Sequence, residues 1–111
     1  MSATTLSERF ASHLAGLRYE AVPQPAVDAA KRIMRDTLAV AWAGSEAPGM
    51  SELRRGMASP GAAECVLWGT GERAAALDAA FLNGVAAAAL DYDALHLDAL
   101  VHSDIVLLPS M

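Results

Sequence analysis

The sequence predicts an all-α, mainly helical protein with at most one short strand near residues 64–68. Alanine, the best intrinsic helix former, supplies 25 of the 111 residues. Apolar side chains recur at three- and four-residue spacing in four separate stretches. A hydrophobic content of 54% is ample to build a core in a chain of this length. The whole of residues 1–111 reads as one partial helical domain, with no internal repeat, low-complexity linker or domain boundary.

The first helix starts behind Thr5. Leu6, Phe10, Leu14 and Leu17 fall on one face, and Glu8 stands three residues after Thr5 as a capping box requires. Pro23 and Pro25 mark a break and a second start. Ala26, Ala30, Ile33, Met34, Leu38 and Ala41 then form a stripe opposite Asp28, Lys31, Arg32 and Arg35, ending near Gly44. Thr37 to Ala43 carries no charge, which predicts burial on every side. A short third helix is expected from about Pro48 to Ala58 with Met50, Leu53 and Met57 inward, stopped by Ser59, Pro60 and Gly61.

Cys65, Val66, Leu67 and Trp68 lie between Pro60-Gly61 and Gly69-Thr70-Gly71 and read as one extended segment. A lone strand leaves its amide groups unpaired, so the segment either pairs with a strand elsewhere or crosses the helices as a loop. From Arg73 to Leu90 the helical pattern returns, with Leu77, Phe81, Val85, Ala88 and Ala89 as the packed face. The chain then closes on Val106, Leu107, Leu108, Pro109, Ser110 and Met111, an apolar segment without a polar tail, an odd place for a natural domain to finish.

Charge excludes some functions. Residues 1–73 hold eight basic and eight acidic side chains, whereas residues 74–111 hold five aspartates and no Lys or Arg. Nucleic acid and anionic membranes need clustered cations and are not expected partners. No apolar run approaches the roughly 18 to 20 residues of a membrane span. The single cysteine and the lack of a signal core point to the cytosol. Cys65 has no neighbouring positive group to activate it as a thiol nucleophile. His13 reads as a packed or surface side chain, and Trp42 and Trp68 as core.

Asp91, Asp93, His96, Asp98, His102 and Asp104 crowd the fourteen residues after the last helix. Carboxylates and imidazoles in a pocket can act as general acids and bases. The same composition also describes a solvated loop, since Asp favours turns and caps. A metal site is a third reading, although the interval from His96 to His102 matches no familiar ligand spacing.

Ala79-Ala-Phe-Leu-Asn-Gly84, then Ala89-Leu-Asp-Tyr-Asp93, His96, Val101-His102-Ser103-Asp104 and the apolar stretch to Pro109, resemble the MmgE/PrpD family. Ala30-Lys31-Arg32, Asp36-Thr37-Leu38 and Ala41-Trp42-Ala43-Gly44 are similar to its second helix. The family includes 2-methylcitrate dehydratase, an enzyme of propionate metabolism, and cis-aconitate decarboxylase. The resemblance implies a large helical domain followed by a smaller α+β lid, of which this chain is the opening part. It implies lyases that eliminate water or carbon dioxide from di- and tricarboxylic acids without metal or organic cofactor, commonly as homodimers.

Carried over by the resemblance, Asp91 and His102 are the candidate catalytic residues, and Asp93 and His96 the candidate substrate contacts. Dehydration needs a base beside a carboxylate and an acid for the departing hydroxyl, and an imidazole suits either role. Asp91 suits orienting or charging a histidine. Four positions depart from the family pattern: Ala94 stands for a third aspartate, Leu95 for a pocket threonine, Ser103 for a proline and Ala88 for a histidine. Loss of the threonine hydroxyl costs about 1 to 3 kcal/mol where its partner is left unpaired. With no cation in residues 74–111 to hold the substrate's carboxylates, these 111 residues alone are expected not to turn it over. The alternatives are a decayed family member without chemistry and a small helical assembly module.

Overall fold

The computed structural model describes residues 4–57 and 61–111. The expected third-helix end and the turn at residues 58–60 lie outside the described residues. The chain divides into two compact units, Met1–Ala30 and Lys31–Met111.

In the first unit, α1 runs Leu6–Gly16. The expected capping box is present: the Glu8 amide donates to Thr5 Oγ1 at 3.2 Å, and the Thr5 amide donates to Glu8 Oε2 at 2.7 Å. Two otherwise orphaned donors at the helix start are thereby satisfied. Leu6, Phe10 and Leu14 are exposed within the unit. A 3-10 turn at Tyr19–Ala21 leads to α2, Gln24–Gly44, whose first residues hydrogen-bond back to Pro23.

In the second unit, α2 is followed by α3 (Met50–Gly56), strands β1 (Cys65–Val66) and β2 (Arg73–Ala74), α4 (Ala76–Ala88), the four-residue α5 (Asp104–Leu107) and a 3-10 turn at Leu108–Ser110. The extended segment thus finds its partner nearby. Gly69, with φ of 87°, and Gly71, with φ of 76°, turn the chain back, and Cys65 pairs with Ala74 and Val66 with Arg73 in an antiparallel ladder. The sequence predicts one strand and a helix from Arg73; the structure has two strands and starts the helix at Ala76. Pairing wins because it satisfies backbone groups that a helix beginning at Arg73 would strand.

The core is small-residue packing between α2 and α4. Ala41, Met50, Ala86 and Ala87 form one buried cluster, with Val40, Leu53, Trp68 and Ile105 against it. Leu67, Ala79 and Leu82 form a second, flanked by Leu53, Met57 and Cys65. A Cβ on Gly44 would strike the carbonyl oxygen of Ala86, so the absence of a side chain there lets the two helices approach. Met50, Leu53 and Met57 face inward as predicted.

Two predicted faces are corrected. Burial of Thr37 to Ala43 on every side does not hold: Thr37, Ala41 and Gly44 are buried, while Leu38 and Trp42 are exposed, Trp42 to 68%. Trp42 is therefore not core. On α4 the buried residues are Asp78, Ala79, Leu82, Asn83, Ala86 and Ala87; of the predicted face Val85 packs against the core, whereas Leu77 and Phe81 are exposed. A helix apolar all round carries no phase in its hydrophobicity, and close backbone approach through small residues decides which side is packed. The closing apolar segment, for which no helix was expected, is α5 and its 3-10 turn, packed against α4.

Asn83 ties α4 to the hairpin. Its Oδ1 accepts from the Trp68 amide at 2.9 Å and its Nδ2 donates to the Val66 carbonyl at 3.1 Å. Arg54, largely buried, donates to the Ser45 carbonyl at 2.7 Å and faces Glu46 and Glu72 at 3.5 and 3.6 Å.

Candidate functional site

The acidic cluster begins where α4 stops. The Ala89 amide bonds to the Ala86 carbonyl, and the Asp91 amide to the Ala88 carbonyl at 3.1 Å. Asp91 ends the turn in the left-handed region, with φ of 55°. That position normally belongs to glycine, and a side chain with a Cβ pays in strain. The Asp91 carboxylate is exposed and makes no hydrogen bond among the described residues.

A closed loop follows. The His96 amide donates to the Val101 carbonyl at 3.0 Å, and the Leu100 amide to the His96 carbonyl at 2.8 Å. Leu100, with φ of 51°, is the second residue held left-handed. Inside the loop the Ala99 amide donates to His96 Nδ1 at 3.3 Å, so Nδ1 is an acceptor and the neutral ring carries its proton on Nε2. Leu97 and Leu100 project from this loop as exposed side chains.

The loop returns the chain so that His102 meets Asp93. His102 Nδ1 lies 2.6 Å from Asp93 Oδ2; the aspartate side chain is 3% exposed and the imidazole 37%. Of the four residues singled out from the sequence, the structure thus joins Asp93 to His102, leaves Asp91 outside that bond, and uses His96 to close the loop. Ser103 follows, its carbonyl accepting from the amides of Val106 and Leu107 and so anchoring α5. Asp104 opens that helix, where a carboxylate favours the helix dipole, and Asp98 is exposed.

Ala88 lines an open apolar groove of about 330 Å³ with Phe81, Gly84, Val85, Ile105 and Val106. Leu95 is 41% exposed. Among the described residues no three His, Cys, Asp or Glu side chains converge as a metal ion would require. No described helix is long and apolar enough to cross a membrane.

Sequence reasoning passed over the role of Asn83, whose place inside the family-like stretch is legible but whose two backbone partners lie fifteen and seventeen residues away. Nothing in a linear pattern signals such a clamp. The pairing of Asp93 with His102 was equally hidden, since it depends on a loop closed by backbone bonds.

Comparison with known proteins adds one positive finding. No curated protein and no solved structure matches the chain. A family model described as the MmgE/PrpD N-terminal domain matches residues 8–111. That span includes α1 from Glu8 onward, the α2–α4 core and the whole of the Asp91–Asp104 cluster. The chain belongs to the MmgE/PrpD family, through its N-terminal domain.

Proposed function

We propose that this chain provides the proton-transfer side of a cofactor-independent lyase, which eliminates water or carbon dioxide from a di- or tricarboxylic acid. One observation carries the reading: His102 presents a partly exposed ring whose Nε2 makes no hydrogen bond among the described residues. A base for a carbon-bound proton needs such an unengaged nitrogen. In dehydration, Nε2 takes the proton from the carbon beside a carboxylate, the carbon–oxygen bond breaks, and the hydroxyl leaves as water on receiving a proton. Asp91 lies at the opening of the same loop and is the second candidate catalytic residue. His96 is a candidate substrate contact. With this reading go a homodimer and a cytoplasmic location.

Cations must neutralise the substrate, and residues 74–111 contain none. The assay therefore uses the protein purified from its native source with whatever accompanies it. Turnover of a panel of hydroxylated and unsaturated di- and tricarboxylic acids is followed by NMR. The expected result is elimination from one structural class, reduced about 100-fold or more in His102→Gln. No turnover across the panel, or turnover unchanged in the variant, overturns the reading.

The substitutions Ala94, Leu95, Ser103 and Ala88 favour a second reading, a family member that has lost its chemistry. Leu95 puts a half-exposed aliphatic side chain where the family pattern has a hydroxyl. Absence of turnover in the same assay, with an intact fold, supports it.

A further inference from the structure

We infer that Asp93 is a positioning residue for His102, not a substrate contact: it holds the ring in the Nδ1–H form and leaves Nε2 as the atom that exchanges protons. This rests on the reading that His102 transfers the proton.

Three features of the loop carry the inference. The Asp93 side chain is 3% exposed, so a bulky polyanion has no approach to it, and a second carboxylate brought against it would be repelled. Its Oδ2 stands 2.6 Å from Nδ1, and an ionised carboxylate accepts but does not donate. The proton in that bond therefore belongs to Nδ1. The backbone on either side of His102 is also fixed, by the Val101 carbonyl bonded to the His96 amide and by the Ser103 carbonyl bonded to the Val106 and Leu107 amides of α5. What remains free is ring rotation, and the Asp93 bond removes it.

The direction of the bond matters chemically. A neutral imidazole carries one proton and two nitrogens, and fixing the proton on Nδ1 makes Nε2 the basic site. When Nε2 takes a proton, the buried carboxylate beside Nδ1 faces the new positive charge. His96 has the opposite arrangement, because its Nδ1 accepts from the Ala99 amide. One loop thus holds two histidines in opposite tautomers, and each serves as the reference for the other.

The test reads the rings directly in the 111-residue chain, without substrate. Two-bond nitrogen–proton correlation spectra of the histidine-labelled protein at neutral to mildly alkaline pH should show His102 as the Nδ1–H tautomer and His96 as Nε2–H. His102 found as Nε2–H in the wild-type protein overturns the proposal, whatever happens to any variant. In Asp93→Asn the amide group can turn to donate to Nδ1, and His102 should shift to the Nε2–H form; an unchanged spectrum in a folded variant also overturns it. In the native preparation, Asp93→Asn should lower kcat about 100-fold with KM nearly unchanged, and Asp93→Glu should recover part of the loss. A raised KM at constant kcat would make Asp93 a substrate contact after all. Because the tautomers are read without turnover, they can stand while the lyase reading falls, and the reverse.

Discussion

Asp91 and Leu100 are the two residues other than glycine held at positive φ among the described residues, and both lie in the segment that carries the candidate site. Strain of this kind persists where the surroundings over-determine it, and it is a sign of function more often than of stability. At Asp91 the conformation is what a helix ending demands, yet glycine would meet the demand at lower cost. Asp91→Gly should therefore leave the fold unharmed or stabilise it by up to about 1 kcal/mol, while Asp91→Val, β-branched, should cost about 1 to 2 kcal/mol relative to the glycine variant. Urea denaturation of the pair measures the difference; a valine variant as stable as the glycine variant would remove the strain argument.

Glu8 supplies the clearest pH dependence. Hydrogen bonds from the backbone of Thr5, then from its hydroxyl, hold the Glu8 carboxyl below its ordinary value of 4.5. A carboxyl lowered in the folded state contributes stability that is present above 4.5 and lost as pH falls through the lowered folded value. The start of α1 should accordingly fray as pH drops below 4.5, and amide exchange at Thr5 and Glu8 should report it. In Thr5→Ala the Glu8 amide loses its acceptor and should exchange fast at every pH, while the amide of residue 5 keeps its acid-dependent bond to Glu8.

At the scale of elements, the second unit is governed by the meeting of α2 and α4. Gly44 admits the Ala86 backbone, so Gly44→Ala should force the helices apart and cost about 1 to 3 kcal/mol. Asn83→Ala should cost about 2 kcal/mol or more, because it strips two backbone partners at once, the Trp68 amide and the Val66 carbonyl. Thermal melts of the two variants check both values, and a near-neutral Asn83→Ala would show that water replaces the amide without loss.

These contacts also explain what the sequence disclosed. Helix existence was legible wherever a cap or a proline fixed a boundary, as at Thr5 and Pro23. The inward side of α3 was legible because Met50, Leu53 and Met57 stand out against charged neighbours. The packed side of α4 was not, since its alanines lie all round and the choice depends on a glycine in another helix. The candidate site divides the same way. Asp91, Asp93, His96 and His102 were identifiable by their order along the chain. That Asp93 and not Asp91 holds His102 follows from a backbone loop whose left-handed residue is a leucine, for which no sequence signature exists.

For the molecule as a whole, charge and apolar exposure set the terms of function. Five aspartates without a compensating Lys or Arg occupy residues 74–111, so a polyanionic substrate of the proposed class would need cations from outside that stretch. Leu38, Trp42 and Val66 line an open apolar groove of about 420 Å³ on the second unit, together with Trp68 and the Gly69–Gly71 turn.

Proton transfer by His102 at the carbon beside a carboxylate is the proposal on which the functional reading depends. Its most direct measurement is exchange of that carbon-bound proton in heavy water, followed by NMR in the native preparation with the acid it turns over. Deuterium incorporation is expected in the wild-type protein, with near abolition in His102→Gln. Incorporation at an equal rate in both proteins would contradict it.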